Sequence, residues 1–186
     1  MNVLAFAASS SNNSINHKLV TSVSRYYKED QVDVISINDF ELPLYSIDRE
    51  KELGIPDAAT EFAARIDWAD LVLISFAEHN GNYAAAYKNL VDWISRIKGR
   101  KPFQDKHLFL LSTSQGARGG QSVLDIAVAR MPYDGGTVID SIALPEFAAN
   151  YEDGKGVTNS LYRSQLEAKV RKTKREMIKV FSEKNI

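Results

Sequence analysis

Leu71-Val72-Leu73-Ile74 and Leu108-Phe109-Leu110-Leu111 are two continuous apolar runs in the middle of the chain. In a strand with one face in water, polar and apolar side chains alternate, whereas a strand covered on both faces is apolar throughout. Strands of the second kind occur in parallel sheets that have helices on both sides. The two runs therefore predict the central strands of such a sheet.

The two runs belong to a longer alternation of strand-like and helix-like segments. Five β-prone runs are predicted as strands: Val3–Ala8, Val32–Ile37, Leu71–Ser75, His107–Ser112 and Thr137–Leu144. Side chains with helical spacing separate them: Ile15, Leu19, Val23 and Tyr26; Ala59, Phe62, Ala63 and Ile66; Tyr87, Leu90, Val91 and Ile94; and, more weakly, Val123, Ile126, Ala127 and Arg130. A last helix is predicted from Ser160 to Ser182, with a rough apolar stripe at Leu161, Gln165, Leu166 and Val170. Alternation of this kind predicts an α/β domain with right-handed crossovers.

Composition places the chain among ordinary globular proteins. Of its 186 residues, 44% are hydrophobic and 25% are charged, which predicts one domain over residues 1–186. Cysteine is absent, and the first residues have neither a basic start nor a long apolar run. We therefore expect a cytoplasmic protein with no membrane partner. The longest irregular piece, Asn38–Pro56, is expected to fold against the body of the domain through Leu42-Pro43-Leu44-Tyr45.

The charge pattern gives little reason to expect a nucleic-acid partner. The formal net charge is −1, and one basic run, Lys169–Arg175, stands out near the C-terminus. On a helix such a run usually forms a solvated face, and no aromatic stacking residues accompany it. We expect no binding to nucleic acid.

Three loops follow predicted strands and carry unusual residues. In an open parallel sheet, ligands bind beyond the carboxyl ends of the strands, which here are followed by Ser9–Asn16, Phe76–Tyr83 and Ser112–Gly120. The first loop is rich in hydroxyl and amide side chains where a helix begins, and neutral donors at a helix start can bind a phosphate dianion. The alternative is a polar turn in which Ser14 caps the helix. The sequence leaves both interpretations open.

The other two loops contain residues that suit a flat ligand. Ser112–Gly120 has three glycines within five residues, and glycine permits positive φ and a close approach of the backbone to a ring; the alternative is a generic strand-to-helix turn. Asn80-Gly81 is a strong turn dipeptide, and the Asn80 amide can donate and accept at the edge of a heterocycle. His79 is interpreted as a surface or stacking residue rather than a general base. No P-loop, G-x-G-x-x-G or G-x-S-x-G motif follows a predicted strand.

Together these loops resemble the NADPH-dependent FMN reductase family, which includes quinone, chromate and azo-dye reductases. The stretches that carry the resemblance are Ala8–Asn16 (family G-S-x-R-x-x-S-x-N), Leu42–Tyr45 (L-P-x-Y), Ala77–Arg96 (P-x-Y-N-x-S-x-P-x-x-L-K-N-x-x-D-W-x-S-R) and Ser112–Gly120 (S-x-x-x-G-x-x-G-G). Lys88-Asn89 and Asp92-Trp93-Ile94-Ser95-Arg96 are nearly unaltered, which makes the third stretch the most specific.

The resemblance implies a fold, a cofactor and an assembly. The expected fold is a flavodoxin-like three-layer sandwich, whose five-stranded parallel sheet has the order 2-1-3-4-5 with helices on both faces. The expected cofactor is FMN, with NADPH or NADH as co-substrate and a small molecule as electron acceptor: free flavin, a quinone, an azo compound or a metal oxyanion. A homodimer or homotetramer is expected, and the helix Tyr87–Ile97, which includes Trp93 and is apolar on more than one face, is predicted to mediate assembly.

The resemblance also implies which residues bind the cofactor. The FMN phosphate is assigned to Ser9, Ser11, Ser14 and Asn16; the ring is assigned to Glu78, His79 and Asn80 on one side and to Ser114, Gln115, Gly116 and Gly119 on the other. Ile15 and Gly81 are also counted among the cofactor-binding residues. No side chain is assigned a catalytic role, because the flavin itself performs the chemistry, and no metal is expected. Arg118 is a hypothetical contact for the phosphates of the nicotinamide nucleotide, NADPH or NADH.

Several positions depart from the family pattern. Ser11 replaces an Arg that commonly contacts the FMN phosphate, so one charge-assisted bond is lost. Pro, Tyr, Ser and Pro beside the ring are replaced by Ala77, His79, Asn82 and Ala84. These changes predict looser flavin binding and keep open an alternative function, that of a non-catalytic flavin- or ligand-binding protein on the same scaffold. An electron-carrying flavodoxin is disfavoured, because such carriers are strongly acidic and have a different phosphate loop.

Overall fold

A parallel sheet forms the centre of the computed structural model, which describes residues 1–184. The strands are β1 (Asn2–Ala8), β2 (Gln31–Ser36), β3 (Leu71–Phe76), β4 (Glu78–His79), β5 (Asn82–Tyr83), β6 (Lys106–Thr113), β7 (Gly136–Leu144), β8 (Tyr151–Glu152) and β9 (Gly156–Val157). The main sheet has the order β2-β1-β3-β6-β7 with every neighbouring pair parallel, while β4 with β5 and β8 with β9 form small antiparallel hairpins. When only the strands of the main sheet are counted, this order is 2-1-3-4-5, as predicted.

The helices cover both faces of this sheet. They are α1 (Ile15–Ser24), α2 (Ile47–Leu53), α3 (Asp57–Trp68), α4 (Ala85–Ile94), α5 (Gln121–Arg130), α6 (Phe147–Asn150) and α7 (Ser160–Lys184). Alternate residues of β1 show how the layers form: Leu4 and Phe6 pack in the core with α3, α4 and α5, while Val3 and Ala5 pack with α1 and α7. The expected flavodoxin-like three-layer sandwich is confirmed.

The continuous apolar runs are buried on both faces, as predicted. Every residue of β3 is buried, and so is β6 from Leu108 to Thr113, whereas the edge strand β2 is only partly covered. The predicted strand boundaries are correct to within one residue. Ile37, which was predicted to end the second strand, instead begins a short 3₁₀ helix.

Three details of the predicted helices were wrong. Tyr26 lies in a 3₁₀ helix that follows α1. The segment Asn38–Pro56 is not irregular throughout, since it contains α2, which the sequence did not reveal because none of its side chains is buried. The buried stripe of α7 is Leu166, Val170, Thr173 and Met177, whereas Leu161 and Gln165 are exposed.

Part of the basic run on α7 holds this helix against the sheet. Lys169 and Lys172 reach the carboxylate of Asp140 on β7 at 2.6 and 2.9 Å, and the Lys174 ammonium lies 5.2 Å from the centre of the Tyr27 ring. The run is therefore only partly the solvated face that we expected. Among the described residues, no helix is long and apolar enough to cross a membrane.

Asp140→Asn is expected to loosen α7 in a pH-dependent way. Burial opposes ionisation of Asp140, yet hydrogen bonds from Lys169 and Lys172 hold the pKa of its carboxyl below the ordinary value. A group with a lowered folded pKa stabilises the protein above its unfolded pKa, about 3.9, and loses that contribution as the pH falls through the folded pKa. The variant should lose about 1 kcal/mol of unfolding free energy at pH 7, and the difference should vanish in strong acid. Urea unfolding from pH 7 downward measures it.

Asp153→Asn is the matched control for this prediction. Asp153 also pairs with a lysine, Lys18 at 2.7 Å, but both side chains are largely exposed. Its loss should change the unfolding free energy by less than about 0.5 kcal/mol. Equal losses for the two variants at pH 7 would contradict the assigned role of Asp140.

Candidate functional site

The loops after β1, β3 and β6 meet in one open cleft of about 260 Å³ at the carboxyl edge of the sheet. The cleft is lined by Ser9, Ser11, Asn13, Ser14, Ile15, Asn16, Ala77, Glu78, His79, Thr113, Ser114 and Gln115. Most residues predicted to bind the cofactor thus come together. The remaining four predicted residues, Asn80, Gly81, Gly116 and Gly119, lie in the same loops but do not line this cleft.

Hydroxyl groups shape the loop that leads into α1. The Ser14 hydroxyl accepts the backbone N–H of His17 at 3.1 Å and so caps the helix, as one of the two interpretations predicted. The Ser9 and Ser11 hydroxyls accept the backbone N–H groups of Ser11 and Asn13, each at 3.3 Å. A hydroxyl that accepts a bond keeps its own hydrogen to donate. Three O–H donors therefore remain for an anion at this helix start, and the first turn of α1 has no acidic residue to compete.

The Asn16 side chain has a role that the sequence did not predict. It is 3% exposed, and its Oδ1 accepts the Ser75 hydroxyl at 2.8 Å and the Thr113 N–H at 3.0 Å. Its Nδ2 donates to the Thr113 carbonyl at 3.2 Å. The amide thus joins the start of α1 to β3 and β6, and one of its hydrogens is left for the phosphate contact that the resemblance implies.

The loop after β3 forms a small hairpin with the predicted Asn80-Gly81 turn at its tip. Asn80 and Gly81 form its tip with φ of 52° and 75°, the left-handed pair that suits a two-residue hairpin turn. Tyr83 anchors the hairpin, since its ring lies 5.5 Å from that of Phe76 and 5.2 Å from that of Tyr87. Its hydroxyl is buried without a partner among the described atoms, and burial raises the pKa of Tyr83 to about 12. His79 is exposed on the hairpin.

The glycines of the loop after β6 meet backbone requirements of their own. Gly119 has a φ of 60°, and a Cβ there would lie 2.7 Å from backbone atoms of Leu144 and Pro145. The Gly116 N–H donates to the Ser114 hydroxyl at 3.3 Å, and its carbonyl accepts the Gly119 N–H at 3.1 Å. Close packing against the end of β7 therefore accounts for Gly119 without a ligand.

The Glu78 carboxylate lies in the cleft wall but is directed at α5. The backbone N–H of Val123 donates to Glu78 Oε2 at 3.1 Å, and the Arg118 guanidinium lies 3.6 Å from Oε1. Arg118 also donates to the Ser122 hydroxyl at 3.2 Å. Its proposed contact with nicotinamide phosphates stays a prediction.

The motif on α4 holds the segment Leu42–Tyr45 rather than the cleft. Asn89 Oδ1 accepts the Tyr45 N–H at 2.7 Å, and Asn89 Nδ2 donates to the Leu42 and Pro43 carbonyls at 3.3 and 3.1 Å. Trp93 Nε1 donates to the Pro43 carbonyl at 2.7 Å. Leu42 of this segment lines a second cleft, of about 380 Å³, together with Ser10 and Asn12 of the loop after β1.

Trp93 is therefore not available for assembly, which corrects the prediction made for it. The side chain is completely buried, and the Tyr45 ring packs edge-on against it at 5.1 Å. The second packing partner that the sequence indicated for this helix is a segment of the same chain. The homodimer or homotetramer stays a prediction that rests on the family resemblance.

Comparison with known proteins gives consistent matches. The family model described as NADPH-dependent FMN reductase matches residues 1–148. A quinone reductase of Escherichia coli (strain K12) is 34% identical over 80 residues, which are 43% of this chain and 42% of that protein. A probable NADPH:quinone oxidoreductase 2 of Oryza sativa subsp. japonica is 33% identical over 95 residues, covering 51% and 45%. The matched segment thus spans about half the length of these curated relatives or less.

Solved structures with the same fold include flavoenzymes. FerB of Paracoccus denitrificans, titled a flavoenzyme NAD(P)H:(acceptor) oxidoreductase, has a TM-score of 0.72 and 23% identity, and the match covers 94% of this chain and 97% of that one. An NAD(P)H:quinone oxidoreductase from Methanothermobacter marburgensis has a TM-score of 0.65 and 16% identity, with coverage of 93% and 94%. At these identities the structures establish the fold alone.

Asn16→Ala is expected to destabilise the protein strongly. The change removes a buried amide and leaves the Thr113 N–H and the Ser75 hydroxyl without their acceptor, which should cost about 2–3 kcal/mol of unfolding free energy. Asn13→Ala, in the loop just before α1 and exposed, should cost less than about 0.5 kcal/mol. Chemical denaturation of both variants measures the difference. Similar midpoints would show that the buried hydrogen bonds of Asn16 do not hold α1 against β3 and β6.

Proposed function

The chain belongs to the NADPH-dependent FMN reductase family, and on that basis we propose that it is an FMN-dependent oxidoreductase that passes electrons from NADPH or NADH to a small acceptor. The observation that carries the proposal is the start of α1, where the donors of Ser9, Ser11 and Ser14 surround a helix N-terminus that has no acidic residue in its first turn. Such a site suits a phosphate dianion. The proposal assigns the phosphate of FMN to it.

The residues of the cleft fit FMN in the chemistry of their donors. The flavin ring is assigned to the space between the β4–β5 hairpin and Ser114-Gln115, where loops from two neighbouring strands face each other. The cleft has no Lys or Arg among its described lining residues. Neutral donors therefore hold the phosphate, and since charge-assisted bonds are roughly twice as strong as neutral ones, the binding should be weaker than with an arginine in the loop.

When bound, FMN supplies the redox chemistry, accepting a hydride from the nicotinamide and releasing electrons to the acceptor. The contribution of this chain is to bind and orient. Ser9, Ser11 and Ser14 donate to the phosphate, and the hairpin and the glycine-rich loop form the two walls for the ring. No acid or base is required from the protein, so the exposed His79 is assigned no proton transfer. Among acceptors, the names of the curated relatives favour a quinone.

Titration of the flavin-free protein with FMN tests this proposal directly. Saturable quenching of flavin fluorescence at micromolar FMN, followed by NADPH consumption with a short-chain benzoquinone, is the expected result. Flavin binding without NADPH consumption, over the range of acceptors proposed, would instead support a non-catalytic flavin-binding protein. Absence of both would overturn the proposed function.

Ser11→Arg is expected to strengthen FMN binding. An arginine at this exposed position of the loop can add a charge-assisted bond to the phosphate, which should lower the Kd for FMN by about tenfold. The gain should shrink as salt is added and should be absent for riboflavin, which has no phosphate. The same fluorescence titration measures both flavins.

Ser10→Arg is the matched control for this variant. Ser10 is also exposed, but it lines the second cleft instead of the one assigned to FMN. Ser10→Arg adds the same charge one residue away but outside the cleft assigned to FMN. The Kd of this variant for FMN should therefore stay within about twofold of the wild-type value. An equal gain for both variants would place the phosphate elsewhere.

A further inference from the structure

We propose that Glu78 is a positioning residue, whose carboxylate ties the β4–β5 hairpin to the first turn of α5 and so sets the separation of the two walls of the flavin cleft. The inference rests on the proposed function, because it gives those walls a flavin ring to enclose. It assigns Glu78 an action through α5, in addition to its place beside the cleft.

The hairpin is too small to hold its own position. It contains two residue pairs, Glu78 with Tyr83 and His79 with Asn82, and an isolated two-stranded hairpin is marginally stable at best. Its placement must therefore come from side chains that reach other elements. Tyr83 provides one anchor through its ring contacts with Phe76 and Tyr87, and Glu78 provides the other.

The N-terminus of α5 needs a partner that its own loop does not supply. Its cap residue is Gly120, which is left-handed with a φ of 77° and has no side chain to accept a backbone N–H. The Glu78 carboxylate accepts the N–H of Val123 in the first turn at 3.1 Å. The side chain of Glu78 is 16% exposed, so this bond is largely shielded from water. A carboxylate at this end of a helix also interacts favourably with the helix dipole.

The link connects the two walls because α5 continues directly from the loop Ser114–Gly120. A bond from the hairpin to Val123 fixes the hairpin relative to that loop. A stacked ring tolerates little change in the spacing of the surfaces around it, so loss of the link should weaken the binding of any flavin ring. The Arg118 guanidinium at 3.6 Å is 76% exposed and adds little to this link.

The same carboxylate gives the cleft an electrical polarity. The helices α1 and α5 both begin at this edge of the sheet, after the loops that follow β1 and β6. At α5 the Glu78 charge already offsets the positive end, whereas the first turn of α1 has no acidic residue. The phosphate end of FMN is thereby directed to α1 and the uncharged ring end to Glu78.

Glu78→Ala and Glu78→Gln, titrated with both FMN and riboflavin, test the inference. Glu78→Ala should weaken the binding of FMN and of riboflavin by the same factor, about tenfold, because the phosphate site is unchanged and the ring site is loosened. Glu78→Gln keeps an acceptor for the Val123 N–H and should restore affinity to within about threefold of the wild type. Asp125→Ala removes an exposed carboxylate from the same helix and should leave both affinities within about twofold.

A purely structural role would give a different set of results. It would lower the melting temperature of Glu78→Ala while leaving the affinity for riboflavin unchanged at temperatures well below that transition, and this outcome overturns the inference. A loss of affinity for FMN with an unchanged affinity for riboflavin would also overturn the inference, because it would place Glu78 at the phosphate. Amide hydrogen exchange of the flavin-free protein should show faster exchange at Val123 and in the hairpin for Glu78→Ala.

The inference and the proposed function fail in distinguishable ways. If the wild type binds neither flavin, the proposed function fails and the inference fails with it. If the wild type binds both flavins and Glu78→Ala binds them equally well, only the inference fails.

Discussion

The buried amide of Asn16 is the contact on which the arrangement of the candidate site depends. A parallel sheet brings the ends of β1, β3 and β6 to one edge, but a common edge does not by itself fix the loops relative to one another. Asn16 does so, since it bonds the Ser75 hydroxyl at the end of β3 and both backbone groups of Thr113 at the end of β6. Because the bonds are buried, leaving any of these groups unpaired is costly. The start of α1 is thereby held at a fixed place among the three loops.

Around this fixed point, the starts of α1 and α5 differ in charge. Serine hydroxyls surround the start of α1, and each still has a hydrogen to donate. The start of α5 is covered by the carboxylate of Glu78. The site therefore has hydrogen-bond donors at one end and a negative charge at the other, which suits an elongated ligand with one anionic end. The difference arises from neutral groups and one carboxylate, without a lysine or arginine among the described residues of the cleft.

The sequence predicts local features well and misses those that depend on contacts between distant residues. Apolar runs such as Leu71–Ile74 predict the sheet because burial on both faces requires them, and Asn80-Gly81 predicts its turn from local backbone preference. The structural role of the Asn16 amide is not apparent in the sequence, because its partners lie 59 and 97 residues away. Trp93 looks like a subunit contact for the same reason, since the segment that covers it comes 50 residues earlier. The packing requirement at Gly119 likewise appears only when the end of β7 is placed against it.

The way in which α4 holds the segment Leu42–Tyr45 has a consequence for how such a protein can diversify. The side-chain hydrogen bonds that Asn89 and Trp93 make with the segment all involve main-chain atoms of the segment. The side chain of Leu44 is 70% exposed and takes no part in them. The identity of such a side chain can change while the path of the backbone is preserved, because the hydrogen bonds between α4 and the segment do not involve that side chain. The exposed surface of the segment at Leu44 can thus acquire new chemistry by single substitutions, with little effect on the folding of the domain that supports it.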